Sequence, residues 1–238
     1  MSGKKKLPLL LALSASFVLG AVARPACAET VLTPIEWVAM PVFCKVAFQK
    51  SAYVRYIPAD YRFQRESYGK HDLSTHGIPG AHHFCMGMVE LNRAKRGNGT
   101  YEKAVEDFAY SQGDMEPNAP MFSYVNAYLG RALYLTGKRS QAAKVWMQGI
   151  TIQPKSRESY LAMAEAMLSE HRPQDALTVL QKFDAAKEAE YPDAEHFMAQ
   201  TYFELKQYDE AKKHAEKAYE LGYPVYGLRD KMKRIGKW

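Results

Sequence analysis

Cysteine is scarce: the chain of 238 residues holds three. Neither C-x-x-C nor C-x-x-C-H occurs, which excludes the usual zinc-ribbon, dithiol and haem-attachment spacings. H-E-x-x-H, the P-loop, the serine elbow and the dinucleotide fingerprint are also missing. Gly97-Asn98-Gly99 is a turn and not a phosphate cradle, because no Lys-Ser/Thr pair follows it. Long apolar runs are lacking too. The best candidate, Leu7–Ala23, is seventeen residues broken by Pro8 and Gly20, short of the roughly 20 that span a bilayer. Hydrophobic residues still make up 47% of the chain, too many for a disordered polymer, and the length suits one or two domains.

What is present begins with an address. Lys4, Lys5 and Lys6 precede the apolar stretch, and Ala26-Cys27-Ala28 closes it with small residues. A basic start, an apolar core and an A-x-A site predict a secretory signal peptide over 1–28, cleaved after Ala28. Lipoprotein processing at Cys27 is the rival, and Arg24 stands where that signal wants Leu. The form of the signal suggests a periplasmic or secreted protein with no membrane span after cleavage. It also changes the charge. The formal net of +6 and pI near 9.0 invite a nucleic-acid partner. Four of the cations, Lys4, Lys5, Lys6 and Arg24, leave with the signal. That leaves 28 basic residues against 26 acidic ones, a net of +2 over both regions that follow. No nucleic acid is expected.

Cys44 and Cys85 then remain. An even count in an oxidising compartment argues for a disulfide closing a loop of about 40 residues. A metal site is the alternative, since Cys85 ends Ala81-His82-His83-Phe84-Cys85 and His71 and His76 lie upstream. Adjacent histidines on a helix point about 100° apart, so only His82 and Cys85 would share a face. Free thiols are the third reading.

From about residue 80 the chain repeats. Leu129-Gly130, Ala142, Trp146 and Pro154 mark one unit. Met163-Ala164, Ala176 and Leu180 mark the next, and Met198-Ala199, Tyr202, Ala211, Ala215 and Ala218 a third. Upstream, Tyr101-Glu102-Lys103-Ala104 matches Tyr208-Asp209-Glu210-Ala211, so the key alanines fall at 104, 142, 176 and 211. Small residues at 130, 164 and 199 let paired helices approach, while Tyr134, Trp146, Leu180 and Tyr202 fill the space between neighbours. This pattern resembles the tetratricopeptide repeat, a helix–turn–helix unit of 34 residues. The resemblance implies an all-α superhelix with units at about 80–117, 123–156, 157–190 and 192–225, the first degenerate. A polar capping helix within 223–238 would close the array.

The resemblance also implies a site. Tetratricopeptide units line their inner groove with positions 2, 5, 9 and 12 of the first helix. Carried over, these are Tyr124, Ala127, Arg131 and Tyr134, then Glu158, Leu161, Glu165 and Leu168, then Asp193, His196, Gln200 and Phe203. The Lys and Asn positions of the subgroup that clamps C-terminal carboxylates are absent here.

Residues 29–79 form a separate cap segment. Thr33-Pro34-Ile35-Glu36 predicts a capped helix start, Ile35, Val38, Ala39, Val42, Phe43 and Val46 an apolar stripe, and Pro41 a break. Residues 51–80 interleave Tyr with Arg, which could stack on single-stranded nucleic acid but more simply packs a loop on a helical core. Pro41-Val42-Phe43-Cys44 together with His82-His83-Phe84-Cys85 resembles a group of exported bacterial proteins with a cysteine-containing N-terminal cap. That resemblance supports a Cys44–Cys85 bridge tying the cap to the first unit. Acidic pairs such as Glu102/Glu106 and Glu165/Glu170 read as solvated helix faces, and His171, His196 and His214 as isolated helical histidines. No catalytic residue, cofactor or resident metal is expected. The resulting expectation is a non-enzymatic adaptor holding a protein or peptide partner in its groove, in envelope assembly or secretion. The alternative is a metal- or haem-handling accessory using His82, His83 and Cys85.

Overall fold

The computed structural model describes residues 31–50, 55–61, 78 and 80–238. The expected leader, His71, His76 and most of 51–80 lie outside them. Val31–Trp238 is one compact unit, and every regular element among the described residues is helical.

The cap opens as its residues dictate. Thr33 Oγ1 accepts from the Glu36 amide at 3.2 Å, and the Thr33 amide donates to the Glu36 carboxylate at 2.8 Å. This reciprocal cap starts α1 (Pro34–Ala39). Pro41 forces Met40 into extended backbone and ends it, and α2 (Val42–Lys50) follows. The expected apolar stripe is buried only in its α2 part, where Val46 is in the core and Phe43 packs against it. Ile35 is 74% exposed and Val38 59%, whereas Trp37, Met40, Cys44, Ala47 and Phe48 are buried. The break re-aims α2, so one stripe cannot run through both helices, and bulky Trp37 occupies the inward side of α1.

Two links fasten the cap to the array. Cys44 is bonded to Cys85 with Cα atoms 5.5 Å apart, so the expected bridge is present. Beside it the Arg93 guanidinium grips both oxygens of Glu36 at 2.7 Å and meets Glu90 at 3.0 Å. Burial works to raise the Glu36 carboxyl, but Arg93 and the Thr33 amide outweigh it and hold its pKa below the usual range.

Four helical hairpins follow: α3 (Ala81–Lys95) with α4 (Tyr101–Gly113), α5 (Phe122–Leu135) with α6 (Arg139–Ile152), α7 (Arg157–Ser169) with α8 (Pro173–Ala186), and α9 (Pro192–Glu204) with α10 (Tyr208–Glu220). The short α11 (Gly227–Arg234) closes them, burying Leu228 and Met232 against Ala211 and Ala215. Each first helix packs on its hairpin partner and on the next first helix, so α3, α5, α7 and α9 form one inner face. The four key alanines are fully buried.

Close approach sets residue size at the crossings. A Cβ on Gly130 would lie 2.1 Å from Trp146, and one on Gly87 would lie 2.7 Å from Phe108. Gly87 thus plays in the first unit the part of Gly130 in the second. The register of the first unit is displaced because α3 runs to Lys95 before the turn at 96–100.

Candidate functional site

Three adjoining depressions lie on the inner face. The first, about 140 Å³, is lined by Tyr124, Ala127, Tyr128 and Arg131 of α5, Arg157, Glu158 and Leu161 of α7, and Asp193 of α9. The second, also about 140 Å³, has Trp146, Leu135, Ala162 and Ala166 as its apolar lining and Lys95, Arg131, Tyr134, Glu165 and Ser169 as its polar lining. The third is about 350 Å³ and is lined by Glu165, Leu168, Ser169, His171, Phe197, Gln200 and Glu204. Arg131 is common to the first two, and Glu165 and Ser169 to the last two. The depressions are therefore parts of one track.

The 34-residue period builds its polar side chains into matched pairs. Arg131 Nε donates to Glu165 at 2.8 Å across 34 residues, and Arg157 Nε to Asp193 at 2.9 Å across 36. Tyr134 Oη and Ser169 Oγ are 2.8 Å apart across 35. Each pair joins one first helix to the next. The Arg157 guanidinium lies 4.5 Å from the Tyr191 ring centre, and that of Arg131 lies 5.7 Å from the Tyr128 ring centre. Burial, reinforced by Tyr128, pushes the Tyr124 phenol well above the ordinary tyrosine range, so it stays protonated as a donor.

Most of the residues carried over from the repeat pattern meet here: Tyr124, Arg131, Tyr134, Glu158, Glu165, Asp193 and Gln200 all line the track. His196 and Phe203 do not line these depressions. The His196 ring stacks on Tyr223 at 4.1 Å, and burial lowers its pKa. Phe203 packs edge-on against Tyr208 at 5.8 Å. The pattern missed Tyr128, Trp146, Arg157, Ser169, Phe197 and Glu204. For Arg157 and Ser169 the signal was there, as opposite charges or paired hydroxyls one period apart.

Elsewhere two readings change. His171 is in a turn rather than on a helix, with φ 57°. His214 is not isolated. Its Nδ1 lies 2.6 Å from Glu195, which is buried and also meets Lys217 at 3.0 Å and Lys187 at 3.4 Å. Burial alone would raise the Glu195 carboxyl, but His214 and Lys217 outweigh it and hold its pKa far below the ordinary range.

The expected His82, His83 and Cys85 cluster gains no support as a metal centre. The Cys85 sulfur is committed to Cys44, and His83 Nδ1 is 3.0 Å from Asp107. Burial, aided by the charge of His83, brings His82 down to about 4. Among the described residues no group of three or more His, Cys, Asp or Glu side chains could share a metal ion. Nor is any of their helices long and apolar enough to cross a membrane.

No family model matches the chain, and no curated protein matches it. Among solved structures it is similar to a Podosopora anserina protein described as a kinesin light chain with nearly identical TPR-like repeats. That likeness has 20% identity and a TM-score of 0.45, covering 81% of this chain and 95% of that one. It is also similar to Pseudomonas aeruginosa PilF, at 16% identity and a TM-score of 0.47, covering 81% of this chain and 80% of that one. On its own helix order and the spacing of its buried alanines, the chain is an array of four helical hairpins that resemble tetratricopeptide units, carrying a disulfide-fastened N-terminal cap.

Proposed function

We propose that this protein is an exported, non-enzymatic adaptor that holds an extended segment of a partner protein along the inner face of α5, α7 and α9. One observation carries the reading: three depressions that adjoin at Arg131, Glu165 and Ser169 follow one another along the inner face, each with apolar side chains in its lining. The track's tyrosines, tryptophan and arginines are the side chains that anchor interfaces. Its ion pairs are satisfied within the array, so the track is shaped before anything enters it, which lowers the ordering cost of binding. Export is supported by the basic start, the apolar stretch and the A-x-A site, and by a disulfide of the kind oxidising compartments keep.

The test is site-specific photocrosslinking in the cell, with the crosslinker at Gln200 and a control at the exposed Gln148 of α6, which lines none of the depressions. Crosslinks from the inner face alone, lost on Arg131→Ala/Tyr134→Ala in a chain that melts normally, are expected. Equal crosslinking from α6 would rule the track out. Fractionation with N-terminal sequencing tests export, the expected mature chain beginning at Glu29.

A further inference from the structure

Charge is unevenly placed along the array. The segment 221–238 carries Arg229, Lys231, Lys233, Arg234 and Lys237 against Asp230 alone, a net of +4. Residues 29–220 hold 23 basic side chains and 25 acidic ones, a net of −2. The neighbouring helix α10 shows the ordinary arrangement. Its Lys212, Lys213 and Lys217 meet Glu216, Glu210 and Glu190 at 3.9, 3.5 and 2.9 Å. On α11, Lys231, Lys233 and Arg234 are exposed and pair with no carboxylate among the described residues.

Cations in a last helical turn suit the helix dipole. That does not explain the apolar side chains set among them. Leu221 is 40% exposed, Val225 53%, Tyr226 44% and Ile235 48%. The inward face of α11 is already filled by Leu228 and Met232, so Leu221, Val225 and Ile235 are left over from packing, while the half-exposed Tyr226 ring lies 4.7 Å from that of Tyr219. Arg229 lies 4.5 Å from the Tyr226 ring centre and helps to hold that ring in place.

Unpaired cations mixed with exposed aliphatic and tyrosine side chains match one kind of surface. Lipid phosphates would meet the cations while the apolar groups enter the boundary between headgroups and acyl chains. None of the three depressions of the inner face is lined by this segment, and a bilayer requires no groove. A run of carboxylates alone would satisfy the cations but leave the exposed apolar side chains in water. We propose that residues 221–238 form a docking surface for an anionic lipid bilayer, separate from the inner-face track.

Sedimentation with vesicles tests this on the chain beginning at Glu29, which retains the whole compact unit Val31–Trp238. Binding to phosphatidylcholine vesicles containing phosphatidylglycerol, but not to phosphatidylcholine alone, is expected, and it should fall steeply with salt. Lys231→Gln/Lys233→Gln/Arg234→Gln should weaken partitioning on the order of 100-fold, at about fivefold per cation. Val225→Ser/Ile235→Ser should weaken it while leaving the salt dependence unchanged. All these side chains are exposed, and unchanged thermal melting confirms that the variants fold. Equal binding to both vesicle types, no binding to either, or full binding by the triple variant each overturns the proposal. So does retention on immobilised polyglutamate through the same three cations with no retention on vesicles.

Discussion

The crossings at the two ends of the array solve one packing problem with opposite residues. In the second unit Gly130 lies under Trp146, and in the first Gly87 lies under Phe108. In the last unit both corresponding positions are alanine, Ala199 and Ala215, packed with Ala211, Leu228 and Met232. The third unit is intermediate, with Ala164 near Leu180. An indole or phenyl ring at the crossing demands a glycine opposite it, whereas leucine or alanine there is met by an alanine. The ends are also fastened differently. The N-terminal end carries a disulfide, the Glu36–Arg93–Glu90 bridge and an aromatic layer of Phe84, Phe108, Tyr124 and Tyr128. The C-terminal end has a small core and the buried Glu195 with Lys187, Lys217 and His214 around it. One end is locked covalently and by bulk, the other by charge.

The largest test of that contrast is removal of the lock. Cys44→Ser/Cys85→Ser should cost about 4 kcal/mol, the chain-entropy value for a loop of about 40 residues. The loss should be local. Limited proteolysis should cut within the cap and α3 while α7–α10 stay protected, whereas uniform loss of protection would show that the cap supports the whole array. Next in size is Gly130→Ala. Its Cβ would fall 2.1 Å from Trp146, so the indole or the helix must move, at a cost of about 3 kcal/mol. Trp146→Leu in the same chain should recover part of that loss, because it recreates the Ala164 and Leu180 combination. A double-mutant cycle in urea reads the coupling directly.

The repeat architecture was legible in the sequence because its small residues recur at nearly fixed intervals: a buried alanine must return wherever a second helix meets the first. The broken cap helix was legible at Pro41 for a local reason. The buried face of the cap was not. Ile35 and Val38 look like core by periodicity, and only the docking of α2 through Cys44 shows that Trp37 and Met40 face inward instead. Gly87 was hidden by the longer α3, which moves the first unit out of register. Much of the track was readable from the repeat positions. His196 lies off the three depressions because it stacks on Tyr223, which follows the last hairpin, where there is no further first helix to pack against. The Glu195 cluster escaped because its members come from separate elements at 187, 190, 195, 214 and 217, a grouping that no local spacing encodes.

That cluster supplies the third test, with an effect of about 2 kcal/mol for Glu195→Gln, the scale of lost charge-assisted hydrogen bonds. Its pH dependence has a definite sign. Despite the opposing effect of burial, the folded carboxyl is held below its ordinary value of 4.5 by His214 and Lys217. Its stabilisation is therefore present above about pH 4.5 and is lost as pH falls toward the folded pKa, because there the unfolded chain binds the extra proton. The acid slope of unfolding should be shallower in Glu195→Gln. Glu36 acts with the same sign at the other end, so Glu36→Gln should flatten the slope of cap opening. An unchanged slope in Glu195→Gln would mean that its charge is not what holds the last hairpin.

The smallest effect lies in the turns between paired helices. Each such turn in the last three units has a left-handed residue: Gly137 at φ 80°, His171 at 57° and Lys206 at 60°. The hydrogen bonds are the same in all three. Lys138 N reaches Leu133 O, Arg172 N reaches Met167 O and Gln207 N reaches Tyr202 O, each at 2.9 Å. The geometry is therefore imposed by the repeat, and only the first of these turns has the residue that adopts it without a Cβ penalty. Lys206 is the cleaner site to test, since His171 also lines the third depression. Lys206→Gly relieves that penalty but adds freedom to the unfolded chain, leaving a net gain of about 0.5 kcal/mol. Gly137→Ala has the reverse balance and should lose about 1 kcal/mol. Chemical denaturation of the two variants should thus move the midpoint in opposite directions. A loss in both would mean that the lysine side chain makes a contribution of its own to the last turn.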